Sequence, residues 1–362
     1  MATTAMVQIV PGRNHLGEHV FSVLVKRTYR IVPDGRAERC NEDQPFRLID
    51  EYYDNGDPEW STVQHESEMA PYKPSTDVVV IGKAYAPRGV ATERMMVGVQ
   101  VGARRKTLVV TGDRHCHHRS GEPLFSDPEP FVEMEIRYDR AYGGRDEKSV
   151  PDIPFVYPRN FMGVGVVLRN VKEAVEGMAL PNLEDAQDLL TPERLFIEEP
   201  ERWPAQPLPQ GFGWRQRAWY PRSALLGSYP PFLDPGVVTP EERMGLLPQD
   251  HVALAKRQRL KPLEAHFANG ASLGLVFAEF AGDELVMLGG LTPGGLLKFS
   301  LPGDTPRIGL DLGPGMQELR PQLHTVSIRP DDGEVDLIWR GAQTYEGYRW
   351  LSKMTRLHAE VQ

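Results

Sequence analysis

Residues 19–32 alternate with the two-residue period of a β-strand, placing Val20, Ser22, Leu24 and Lys26 on one face and Phe21, Val23 and Val25 on the other. The stretch is almost continuously apolar at first and half polar later, which predicts a strand entering a core from a half-exposed end. Pro33-Asp34-Gly35 then reads as a turn, with proline fixing one dihedral and glycine expected to supply a positive one. Residues 77–87, 94–101 and 105–115 repeat the strand pattern, and their short connections favour antiparallel pairing. In the stretch FVEMEIRYDRAYGGRD (131–146), Val132, Met134, Ile136 and Tyr138 form an apolar face opposite Phe131, Glu133, Glu135 and Arg137. Gly143 and Gly144 end that strand at a corner where positive dihedrals, or the close approach of another segment, are expected.

The period changes in the middle of the chain. Prolines punctuate residues 151–262, and short helices are expected at 170–178, 220–227 and 240–247. Asn170 is the expected N-cap of the first; Pro221 and Gly227 mark the start and stop of the second. Trp203, Trp214 and Trp219 carry too much apolar area to be left loose, so this region is expected to pack onto the sheets. Strand patterns return over 263–345, separated by GG, PGG and DDG turns. The clearest is a hairpin with arms at 323–329 and 334–339 and a turn at 330–333.

These patterns predict a mainly β (α+β) fold: antiparallel sheets in a β-sandwich-like body, with a Pro/Gly-rich middle region carrying short helices. The expected division is an N-terminal β region over 1–150, the irregular Pro/Trp-rich region over 151–262, a C-terminal β region over 263–345 packed with the first as one compact body, and a short tail helix over 346–362.

Composition narrows the function classes. The 362 residues are 40% hydrophobic and 25% charged, which is the balance of a globular protein. The 34 glycines and 32 prolines therefore signal many turns rather than disorder. A net charge of -9 with the signs mixed argues against nucleic acid as a partner. The most basic run, at 255–261, reads as a solvated helix face. No apolar run approaches the ~20 residues of a membrane helix, and the N-terminal residues lack the pattern of a secretory signal. With only two cysteines, Cys40 and Cys116, the expectation is a cytoplasmic protein without a disulfide scaffold or membrane partner.

Candidate chemistry is sparse. GDRHCHH (112–118) gathers three histidines and a cysteine, but strand alternation puts His115 and His117 on one face and Cys116 and His118 on the other. Neither pair completes a zinc set, so no metal is expected. No GxSxG elbow and no P-loop is expected, and the GxG of residues 160–167 lacks the third glycine of a dinucleotide fingerprint. No cofactor is expected. The acidic clusters at 51–59 and 198–201 read as surface turns.

One resemblance is more specific. The stretch 130–144 resembles the PF-x-x-MPL-x-YERAFGG signature of a domain-of-unknown-function family found in type VI secretion gene clusters. YPRNFMGVGVV (157–167) resembles its N-P-x-G-x-G-F element, LPNLEDAQD (180–188) its LPN-x-E-D-P element, and 211–229 its FGP…W-x-P-R…G-T-Y segment; VLVKRTYRI resembles its opening strand. Together these cover roughly residues 20–270. Glu135, Ile136, Phe161 and Val166 depart from the pattern. The resemblance implies a non-enzymatic adaptor or chaperone that binds a type VI effector, through a PAAR- or VgrG-linked segment, and helps load it onto the spike. Expected partner contacts are Arg140, Tyr142, Gly143, Gly144 and Arg145 at the corner, plus Trp203, Trp214, Trp219 and Tyr220. The alternatives are a hydrolase using acids such as Glu133 or Asp139, and a metal-dependent binding module resting on His115 and His117.

Overall fold

The long strand His19–Arg30 lies second in a seven-stranded sheet. The order across that sheet is Met6–Arg13, His19–Arg30, Glu334–Thr344, Gln322–Arg329, Thr76–Val80 and Val276–Phe277, with Glu38–Arg39 paired to His19–Arg30 off this path. Every pairing is antiparallel except that of Thr76–Val80 with Gln322–Arg329, which is parallel. In this computed structural model the described residues are 6–13, 19–55, 61–150, 154–220, 222, 268–311, 315–345 and 358–361. Among them no helix is long and apolar enough to cross a membrane.

A five-stranded antiparallel sheet runs in the order Leu183–Glu184, Arg104–Thr111, Arg94–Val101, Leu285–Gly289 and Leu296–Ser300. One continuous buried cluster joins the two sheets: Val78, Val326, Ile328, Leu337 and Trp339 from the first, and Val97, Val99, Leu108, Val110 and Leu288 from the second. This is the expected sandwich-like, mainly β body. A second cluster gathers Cys116, Tyr142, Phe155, Tyr157, Val167, Leu195 and Trp203, all between residues 116 and 203. The proline-rich middle thus builds a core of its own. A third, smaller cluster packs Phe21, Val23 and Val25 against Ile308, Leu310 and Leu319.

The opposite face of the large sheet is buried and charged, and here the expectation of a half-exposed strand end fails. Lys26 and Thr28 are fully buried. Asp43, Pro45 and Glu68 reach over them, and Glu68 brings a carboxylate: Lys26 Nζ donates to Glu68 at 2.7 Å and lies 3.5 Å from Asp336, while Thr28 donates to Asp336 at 2.7 Å. Arg329 closes the network, donating to Asp336 at 2.5 Å and to Glu334 at 2.8 Å. Buried charges survive only when paired and hydrogen-bonded in this way.

Other local expectations resolve in detail. The hairpin is present as Gln322–Arg329 and Glu334–Thr344, with a bulge at His324. In the Pro33–Gly35 turn the positive φ (57°) falls on Asp34 rather than on glycine, as the short Asp side chain tolerates that region. The 77–87 stretch is two strands, Thr76–Val80 and Lys83–Tyr85, broken at Ile81-Gly82. The helix expected at 170–178 is the single turn Lys172–Val175; Asn170 does not cap it but donates to the Gly121 carbonyl at 2.9 Å. The tail, expected as a helix, carries the strand His358–Val361, which pairs with Ile308–Asp311. The helix expected at 240–247, the basic run 255–261, the tail residues 346–357, and all of 220–227 except Tyr220 and Arg222 lie outside the described residues.

Candidate functional site

The corner at 131–146 is the joint between the two larger cores. Strand Glu133–Glu135 pairs with Lys83–Tyr85, and Met134, Ile136 and Tyr138 face inward as the alternation predicts; Val132 is exposed, so the apolar face begins two residues later than expected. A 3-10 turn, Tyr138–Arg140, then redirects the chain. Tyr138 belongs to the inter-sheet core, where it meets Trp219 edge-on at 5.3 Å. Tyr142 belongs to the middle core, where it meets Tyr157 edge-on at 5.1 Å. One turn of chain fastens the two together.

Asn160 clasps this joint. It is fully buried, and its amide donates to the carbonyls of Tyr138 (2.7 Å) and Tyr142 (3.1 Å), while Gly144 N–H donates to the Asn160 carbonyl at 2.8 Å. That approach requires glycine. A Cβ on Gly143 would lie 2.3 Å from the Asn160 carbonyl oxygen, and one on Gly144 would lie 2.4 Å from the Gly163 carbonyl oxygen; their φ values are 152° and 104°. Strands Tyr142–Gly143 and Val164–Gly165 consequently run side by side in parallel. The buried Asp146 fixes the exit, accepting from the N–H groups of Lys148, Ser149 and Leu168.

Two open hollows border this joint. The first, of about 400 Å³, is ionic, lined among others by Asp113, His115, Arg137, Asp139, Arg140 and Asn182. Arg137 is saturated by Asp54 (2.6 Å), Glu135 (3.1 Å) and Asp139 (2.5 Å) and stacks on Tyr53 at 4.5 Å. Burial pushes the Asp139 carboxyl up against the opposing pull of Arg137. The second hollow, of about 470 Å³, has an apolar floor of Phe161, Met162, Val166, Ala174 and Met178 and a rim of Arg145, Glu147, Lys148 and Glu176.

The expected contact residues divide accordingly. Arg140 is half-buried in the first hollow, bonded to Asp113 and Asn182 at 3.3 Å each; Gly144 and the exposed Arg145 line the second. Tyr142 and Gly143 are buried. Trp203, Trp214 and Trp219 are buried core side chains, since their large ring area is worth most out of water. Arg159 lies over Trp203 at 4.8 Å, Lys73 over Trp214 at 4.7 Å, and the half-buried Tyr220 meets Trp203 edge-on at 5.1 Å. Of the histidines, His115 and His117 are exposed; His117 Nδ1 lies 3.2 Å from Glu176, and His118 Nε2 lies 3.1 Å from Asn170 Oδ1. Among the described residues no group of three His, Cys, Asp or Glu side chains is placed to hold a metal.

Two features escape the motif reading. Asp146 is indistinguishable in sequence from a surface loop residue, and Asn160, though it heads the element resembling N-P-x-G-x-G-F, shows nothing of its clasp; only the adjacent glycines hint at a crowded backbone. Gly270-Ala271-Ser272-Leu273-Gly274, by contrast, does have G-x-S-x-G spacing, so the expectation of no elbow needs restating. An elbow requires a strand–turn–helix setting. Here Ser272 opens a turn, with Leu275 N–H donating to the Ser272 carbonyl at 3.0 Å, that leads into the strand Val276–Phe277; the positive φ (89°) falls on Gly274.

Residues 16–340 match the model of a family described as an uncharacterized protein conserved in bacteria, DUF2169. The chain belongs to the DUF2169 family. No curated protein and no solved structure matches it. The DUF2169 match takes in the five-stranded sheet, the joint, both hollows and the large sheet except its edge strand Met6–Arg13 and the last residues of Glu334–Thr344, so the corner and its glycine partner segment are part of the family's shared domain.

Proposed function

We propose that this DUF2169 protein is a protein-binding adaptor and that the second hollow at the glycine joint receives an apolar anchor of its partner. The observation that carries the reading is the anatomy of that hollow: an apolar, methionine-containing floor within a charged rim, beside a backbone corner held rigid by Asn160. Protein interfaces have this layout, and methionine adapts to varied partner side chains. The finer part of the proposal, that the partner is a type VI secretion effector or its PAAR- or VgrG-linked segment, rests on the motif resemblance of residues 130–229.

The test is co-expression with a panel of type VI effector, PAAR and VgrG proteins, followed by purification and a binding titration. The expected result is a stoichiometric complex with one of them, weakened at least tenfold by Met162→Glu while the circular dichroism and thermal midpoint are retained. A complex indifferent to Met162→Glu would move the contact off this hollow. Absence of a complex with every member of the panel would overturn the adaptor reading.

A further inference from the structure

The five-stranded sheet turns one face into the inter-sheet core, with Val97, Val99 and Leu288, and the other away from it. Paired residues share a face, so the register sorts the outer one. Arg105, Gln100, Met287 and Lys298 form one row across the strands Arg104–Thr111, Arg94–Val101, Leu285–Gly289 and Leu296–Ser300. Thr107, Gly98, Gly289 and Leu296 form the next row, with Met96 beyond it on the strand of Gly98. Met96, Met287 and Leu296 belong to none of the three buried clusters, and Met96 and Leu296 are 53% and 63% exposed.

Nothing inside the fold calls for the facing glycines Gly98 and Gly289. Neither has a positive φ, and the register runs through them without a bulge. A Cβ on Gly289 would meet nothing nearer than the Gly98 carbonyl oxygen at 3.9 Å, and one on Gly98 nothing nearer than Thr107 Cγ2 at 3.3 Å. Glycine within a strand weakens it, and it often marks a place where a ligand or another chain comes close. The pair lowers the middle of its row into a trough between Met96 and Met287. The charge around the trough has one sign. Arg94, Arg105 and Lys298 are exposed and form no ion pair among the described residues. The one carboxylate carried by these five strands, Glu184, is buried against Arg114 at 2.7 Å. In a chain of net charge -9, this face selects an acidic partner and repels a second copy of itself.

We propose that this face docks an acidic, extended segment of a partner protein. An aromatic side chain of the segment covers Gly98 and Gly289, and its carboxylates reach Arg105 and Lys298. Those two cations stand three strand spacings apart, about 14 Å, which four or five residues of extended chain span. The site shares no residue with the second hollow, so the failure of one leaves the other standing.

The experiment pans a phage-displayed library of random dodecapeptides on the full chain and titrates synthetic copies of the enriched peptides by fluorescence anisotropy. Enriched peptides are expected to carry an aromatic residue and at least two acids within about five positions. Their affinity is expected to fall at least about tenfold with Gly289→Val, whose side chain fills the trough from open space and leaves the thermal midpoint unchanged. The double variant Arg105→Glu and Lys298→Glu, at exposed positions, is expected to weaken binding at least as much and tests the site even if Gly289→Val fails to fold. The proposal is overturned if no enriched peptide is both acidic and sensitive to these variants. It is equally overturned if an oligothymidylate binds this face and no peptide does.

Discussion

Lowering the pH from 7 to 5 should weaken this fold through two histidines. His65 is buried; desolvation first, then the nearby Arg47, Arg329 and Lys26, bring its imidazole down to about 3. His324, buried at the bulge, is held well below the ordinary value by desolvation and by Lys73 and Arg340. Both stay neutral in the folded chain while the unfolded chain protonates them below about pH 6.5. The unfolded state thus binds more protons, so stability is complete above that pH and falls as pH drops toward the folded value. At pH 5 His65 costs about 2 kcal/mol, and His324 adds a cost of the same sign. Carboxylates held down in the fold, such as Glu66 at about 2 and Asp336, add little in this window because their unfolded values lie below it. The assay is urea denaturation at pH 7 and pH 5, read by fluorescence of the buried tryptophans. His65→Gln should remove about 2 kcal/mol of the pH dependence. A difference below about 1 kcal/mol between the two pH values in the parent protein would refute the claim that these imidazoles are excluded from protonation.

Lys26→Met should destabilise the fold by about 2–4 kcal/mol in the same assay, because Glu68 and Asp336 lose a buried partner and keep only Arg47 and Arg329; a loss under about 1 kcal/mol would mean those arginines suffice. Gly144→Ala should cost more than about 2 kcal/mol through its φ of 104° and the Gly163 carbonyl, lowering the thermal midpoint and weakening partner capture together. A Gly144→Ala protein of unchanged midpoint would show that the corner relaxes.

The strand alternation made much of the body legible. Residues 94–101 and the 323–339 hairpin appear almost as predicted because one face of each is buried against a facing sheet and the period carries that information. Lys26 and Thr28 show the limit: their polarity reads as exposure, and only the carboxylates arriving from Glu68 and Asp336 make their burial possible. The corner was legible as glycines but not as a joint, since Asn160 was visible only as part of a motif element and its bonds, like those of Asp146, go to backbone groups that leave no pattern. The tryptophans were legible as ordering elements, and the structure places all three inside.

The order of strands in the large sheet has a temporal consequence. Its two middle strands, Gln322–Arg329 and Glu334–Thr344, come near the end of the chain, while their outer neighbours, Thr76–Val80 and His19–Arg30, come near the beginning. The early strands share no pairing with each other and face gaps of roughly 240 residues (Thr76–Val80) and roughly 300 residues (His19–Arg30) before their partners exist. At bacterial synthesis rates of about 5–20 residues per second, those gaps last roughly 12–60 s. For that interval the nascent chain holds two apolar strand edges open to water and to its neighbours on the polysome. The last hairpin is the keystone of the sheet, so a chain released before residue 344 is left with unclosed edges rather than with a shortened version of the fold.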